Sequence, residues 1–94
     1  MLHPEAALEH EEQAAYYEAR ANGLGRGYNA AFRSAVRTIC EAPLRHRVVQ
    51  APGIRRMSLR GFPFSVICRE ESGVVQVLAI APYRKRPGYW SERL

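Results

Sequence analysis

The chain contains no aspartate: all nine acidic residues among its 94 are glutamates, and five of these, Glu5, Glu9, Glu11, Glu12 and Glu18, fall within the first 23 positions. A reaction that needs a general base therefore has few carboxylates to draw on, and most of them belong to the first predicted helix. Only two cysteines occur, Cys40 and Cys68, on different predicted elements and without metal-ligand spacing, which excludes a disulfide framework and argues against zinc. They are expected to be free, buried thiols. No apolar run approaches the length of a membrane span, and Met1-Leu2-His3-Pro4-Glu5 has no cationic segment followed by an apolar one. The cytoplasm is the expected compartment, with no membrane association, and no cofactor or metal is expected.

What is present is one domain's worth of chain, 47% hydrophobic and 24% charged, with a net charge of +5 that is unevenly spread. Residues 1–23 set five glutamates against Arg20, whereas residues 24–94 set thirteen Arg or Lys against four glutamates. Such a field favours a polyanion or an acidic protein partner. The most informative stretch is the end. Val74 to Ala81 is apolar enough for a strand buried on both faces, and it runs into Pro82-Tyr83-Arg84-Lys85-Arg86-Pro87-Gly88-Tyr89-Trp90. Three successive cations flanked by aromatic rings suit phosphates and bases; the alternative is a solubilising tail that ends the sheet.

The first helix is expected to open at Pro4, with His3 at the cap, and to end at Asn22-Gly23. Leu8, Ala15 and Ala19 form its apolar stripe with Tyr16 at the edge, and Glu9, Gln13 and Arg20 point away. The glycines of Gly23-Leu24-Gly25-Arg26-Gly27 lie between helical patterns and follow no strand, so they mark a helix-hairpin turn and not a phosphate loop. A second helix from about Arg26 to Glu41 carries a broad face of Tyr28, Ala31, Phe32, Ala35, Val36 and Ile39, and stops before Pro43. Arg47–Gln50 is a short strand or extended loop ending at the turn signal Pro52-Gly53. Ile54–Arg60 is the next strand, Phe64 opens another in which Ile67 spoils the alternation, and Val74–Ala81 is the last. These segments predict an α+β domain spanning residues 1–94, a helix hairpin packed on a small antiparallel sheet.

The ordered set His3-Pro4-Glu5-Ala6, Tyr16-Tyr17, Gly23-Leu24-Gly25, Arg55-Arg56, Phe62-Pro63-Phe64 and Val77-Leu78-Ala79-Ile80-Ala81, followed by Arg84-Lys85-Arg86-Pro87-Gly88-Tyr89-Trp90, resembles the RelE/ParE toxin superfamily. The resemblance covers nearly the whole chain. It implies the toxin of a bacterial type II toxin-antitoxin module, neutralised by a cognate antitoxin in a hetero-oligomer. Relatives resembling RelE cleave messenger RNA in the ribosome; those resembling ParE block DNA gyrase. Two departures stand out. Relatives usually carry a complete strand before the first helix, where this chain has only Met1-Leu2-His3, so the first strand is short or absent, or translation begins upstream. A shortened edge would leave backbone groups for an antitoxin strand to cover. Many relatives also have His-Gly where this chain has Pro82-Tyr83, which removes one acid or base.

Cleavage through a 2′-hydroxyl needs a proton acceptor and cations around the developing phosphorane. Arg56, Arg60, Arg84 and Tyr89 form the candidate catalytic set, and Arg55, Tyr83, Lys85, Arg86 and Trp90 the candidate nucleic-acid or target-binding set. Tyr89 lies where RelE-like toxins often place a functional tyrosine, and a ring of arginines would lower its pKa. Alternatively, Tyr89 and Trp90 fold back as a hydrophobic anchor. Arg55 and Arg56 are adjacent in a strand and point to opposite faces, so at most one joins the patch. His3, His10 and His46 are read as structural or surface residues. Three functions remain open: an endoribonuclease, a non-catalytic gyrase inhibitor, and a non-toxic relative that retains antitoxin binding.

Overall fold

The computed structural model describes residues 2–42, 44, 47–50 and 53–94; His46, Pro43 and Pro52 lie outside the described residues. Two helices, α1 (Pro4–Arg20) and α2 (Leu24–Glu41), precede four strands, β1 (Arg47–Gln50), β2 (Ile54–Ser58), β3 (Phe64–Glu71) and β4 (Val74–Pro82), and the chain ends in a 3-10 helix, Tyr89–Arg93. The strands pair antiparallel in chain order, β1-β2-β3-β4, as a meander. The expected α+β arrangement of a helix hairpin on an antiparallel sheet is what forms.

The hairpin turn owes its geometry to Glu18. Its carboxylate accepts the backbone N–H of Gly23 and of Gly25 at 3.0–3.1 Å, so an internal anion fills the place a phosphate would take. This satisfies donors at the start of α2, which begins at Leu24, two residues earlier than expected. Gly25 is required by proximity: a Cβ there would lie 2.8 Å from the Ala14 carbonyl oxygen.

One expectation is reversed. Leu8, Ala15 and Ala19 face outward, with Leu8 56% exposed, and α1 instead docks through Ala6, Glu9, His10, Ala14 and Tyr17. The docked face has work that alanine and leucine cannot do. His10 hydrogen-bonds the Tyr28 hydroxyl at 3.2 Å and lies on the Phe32 ring, with centroids 4.1 Å apart, while burial lowers its pKa. Tyr17 packs on Tyr28, Phe62 and Phe64. His10 is thus part of the core. His3, at the cap, accepts the Glu5 N–H through Nδ1 at 3.1 Å.

The sheet has an apolar cluster on each side. Phe64, Val66, Cys68, Val77 and Ile80 pack toward the helices with Tyr28, Phe32, Ala35 and Ile39. Ile54, Ile67, Leu78 and Ala79 form the second cluster, which Trp90 covers. A bulge between Ile67 and Cys68 sets Ile67 against Ala79 and Cys68 against Val77, so Leu78 is the extra residue. Ile67 breaks the alternation because this second face also has a core. Strand β2 ends at Ser58, short of Arg60, where Leu59 N–H bonds back to Phe64 and Gly61 takes φ +85°. Both cysteines are free, but only Cys68 is buried; Cys40, on the outer side of α2, is exposed, contrary to the expectation for it. Burial pushes the Cys68 thiol up to about 11.

Candidate target-binding surface

Strand β4 hands the chain to the basic segment at one corner of the sheet. Tyr83 N–H bonds to the Pro63 carbonyl and Lys85 N–H to the Pro82 carbonyl, each at 3.1 Å, and Gly88 at φ +82° turns the chain into the 3-10 helix. The corner separates two concavities. One, of about 650 Å³, lies between α1 and the sheet and is bordered by Glu12, Tyr16, Arg20, Phe64, Tyr83 and Arg84. The other, of about 340 Å³, lies on the far face and is bordered by Arg56, Ser65, Ile67, Lys85, Arg86 and Trp90, with Tyr83 and Tyr89 at its margin.

This partition splits the candidate residues. Arg56 joins Lys85 and Arg86, whereas Arg55, its neighbour in β2, donates to the Leu44 carbonyl at 3.3 Å and lines neither concavity. Arg84 faces the larger one, and Arg60 sits in the β2–β3 turn and borders neither. Arg56, Arg60, Arg84 and Tyr89 therefore do not converge on one cavity. Tyr83 is 57% exposed and forms the wall between the two.

Trp90 is 5% exposed, so the reading of it as a stacking surface gives way to the anchor reading: its ring is core, and folding removes it from water. Tyr89 is held beside it. Its hydroxyl donates to Glu9 Oε2 at 2.8 Å, its ring lies between the Lys85 ammonium (4.5 Å from the centroid) and the Arg93 guanidinium (5.2 Å). Burial, then the hydrogen bond to Glu9 and the Glu9 charge, raise its pKa, and the nearby Arg93 offsets this only in part. The expected lowering does not occur, because the nearest full charge at the hydroxyl is negative.

Glu9 and Arg93 were not among the candidates, yet they organise this end of the molecule. Arg93 donates from Nη1 and Nη2 to the two Glu9 oxygens at 2.9 Å each, and from Nη1 to the Leu78 carbonyl at 3.0 Å. Ile80 N–H donates to Glu9 Oε1 at 2.9 Å. Burial alone would raise the Glu9 pKa, but the hydrogen bonds from Arg93, Ile80 and Tyr89 together hold it below the ordinary value. Arg93 is correspondingly raised, first by its hydrogen bond to Glu9.

This network answers the edge left by a missing strand. Leu2 makes one parallel bridge to Val77, and His3 N–H bonds the Val77 carbonyl at 2.8 Å; beyond that point side chains take over along β4. The Leu78 carbonyl goes to Arg93 and the Ile80 N–H to Glu9. The expectation that an antitoxin strand covers this stretch gives way, since its outward groups already have partners from within the chain. A truncated first strand was the available signal, because an uncovered edge calls for polar side chains to close it.

A chain of the solved "Chromosomal ParDE TA system from P. aeruginosa" superposes on this structure with a TM-score of 0.69 and 21% sequence identity, covering 86% of this chain and 90% of that one. The fold is that of the RelE/ParE toxins. No protein-family model and no curated protein matches the sequence. Within the RelE/ParE fold, this chain keeps the helix hairpin and the four-stranded meander and reduces the leading strand to a single bridge. No helix is long and apolar enough to cross a membrane among the described residues.

Proposed function

We propose that this chain is the toxin of a type II toxin-antitoxin module, acting in the cytoplasm by blocking its target without cutting RNA. One observation carries the choice of mechanism. The hydroxyl of Tyr89, the best-placed candidate for proton transfer, is committed to Glu9, and the Glu9 carboxylate is itself committed to Arg93 and Ile80. Among the described residues, no carboxylate or imidazole borders the cleft where Arg56, Lys85 and Arg86 gather. Cations without a proton acceptor suit contact with an acidic surface better than cleavage.

In this reading Tyr83, Arg84, Lys85 and Arg86, with Arg56 behind them, form the blocking surface, and DNA gyrase is the target class that a ParE-like mechanism names. A cognate antitoxin neutralises the toxin in a hetero-oligomer. The basic surface provides electrostatic attraction for an acidic partner, which would raise the association rate and make it salt-dependent. Inducible expression with separate readouts tests the proposal. Growth arrest accompanied by inhibited supercoiling and intact message is the expected result. Cleaved message in a purified translation reaction would restore the endoribonuclease reading, in which Arg56, Arg60, Arg84 and Tyr89 are the working set. Expression without growth arrest would leave only an antitoxin-binding relative.

A further inference from the structure

The smaller cleft holds a side chain that neither the fold nor the blocking reading uses. Ser65 is 2% exposed, and its Oγ is buried without a hydrogen-bond partner. Native structures leave few such groups, and each calls for an explanation. Its position is set by strand register: Ser65 lies opposite Ser58 and Ile67 opposite Arg56, so Arg56 and Ser65 are diagonal neighbours across β2 and β3. On a sheet face, long side chains span that diagonal. Lys85 and Arg86 border the same cleft from the turn, and Arg56, Lys85 and Arg86 have no carboxylate partner among the described residues. The floor is apolar, formed by Ile67 and Trp90.

Three cations and a hydroxyl donor around one concavity match a tetrahedral oxyanion. A carboxylate brings one charge and two oxygens, whereas a phosphate monoester brings close to two charges and three free oxygens, enough to engage all four groups. The volume of about 340 Å³ is at the lower end for small-ligand pockets, roughly 300–1,000 Å³. It leaves room for a planar or apolar group on Ile67 and Trp90. We infer that this cleft is a binding site for a small phosphate monoester of nucleoside-monophosphate size, held by Arg56, Lys85, Arg86 and the Ser65 hydroxyl. The site stands independently of the cellular target. Its regulatory consequence, that a bound ligand occupies Lys85 and Arg86 and competes with the target, rests on the function proposed above.

Calorimetric titration of the purified full chain with adenosine 5′-monophosphate, adenosine and inorganic phosphate tests the site. The monophosphate is expected to bind and to raise Tm, inorganic phosphate to bind more weakly, and adenosine to bind at least about tenfold more weakly than its monophosphate. Arg56→Ala and Ser65→Ala are each expected to weaken the monophosphate by about tenfold or more, as loss of a hydrogen bond to a charged group does. Ser65→Ala removes a buried polar atom that has no partner, so it is expected to fold. Arg37→Ala, on the exposed side of α2, serves as the unchanged control. Equal binding of the monophosphate and adenosine, no binding of either phosphate at millimolar concentration, or undiminished binding in both variants would overturn the site. Tighter binding of a hexaglutamate peptide than of the monophosphate would also overturn it and assign the cleft to carboxylates. Growth arrest is read separately. Arrest without monophosphate binding removes the site and leaves the toxin reading, and binding without arrest does the reverse.

Discussion

The turn of residues 83–88 and the 3-10 helix Tyr89–Arg93 are consecutive, carry the same residue types and meet opposite fates. Tyr83 stands in solvent, and Arg84, Lys85 and Arg86 are exposed with no carboxylate partner among the described residues. Tyr89 and Arg93 converge on one carboxylate, and the Arg93 side chain is only 10% exposed. The difference lies in Glu9, which is close to the second segment and not to the first. A cation beside a half-buried carboxylate becomes structural; the same cation two turns earlier remains available to a partner. The first segment contributes surface and the second contributes stability.

The comparison predicts a steep gradient of mutational effects. Trp90→Ala should cost about 3–5 kcal/mol, because it empties the second apolar cluster; chemical denaturation measures it, and a loss under about 1 kcal/mol would mean that the tail does not cover the sheet. Glu9→Ala should cost about 2–3 kcal/mol, since it strands the Arg93 guanidinium and frees the Ile80 N–H. Glu5→Ala, at the exposed end of the same arginine, is expected to cost less than about 0.5 kcal/mol.

A pH titration sharpens the same point. The folded-state pKa of Glu9 is depressed below its ordinary value of 4.5, so the folded chain binds fewer protons than the unfolded chain in the acid range. Its contribution is present above about pH 4.5 and is lost as the pH falls through the lower folded value. Tm should therefore drop in that window, and the drop should be shallower in Glu9→Gln; parallel curves would dissociate Glu9 from acid stability. The smallest effects belong to the turn. Arg84→Ala and Lys85→Ala should each change stability by less than about 0.5 kcal/mol while reducing growth arrest, and a large loss of stability would contradict their assignment to free surface.

Much of the fold was legible. The Gly23 to Gly27 hairpin, the broad apolar face of α2 and the meander all follow from periodicity and turn residues, which act over a few positions. The packed face of α1 was not. Leu8, Ala15 and Ala19 satisfy a helical spacing, but hydrophobicity favours burial only where a partner surface exists, and the sheet presents an edge at that point that needs a carboxylate. Ile67 misled for a related reason, because its strand has a second core that only the returning tail creates. At the site, the opposition of Arg55 and Arg56 was legible from strand alternation, whereas the separation of Arg84 from Arg56 depended on which side of Tyr83 each cation falls.

By itself, the sequence determined the order of elements, the basic character of the second half and the delivery of three cations by the last strand, since propensity, turn chemistry and net charge are local or additive. Only the tertiary structure decided that Tyr89, Trp90 and Arg93 belong to the framework and that Ser65 borders a cationic cleft. Those outcomes depend on contacts between positions as far apart as Glu9 and Arg93, where a bidentate ion pair forms because chain folding brings a bare strand edge, a helix carboxylate and the C-terminal turn to one place.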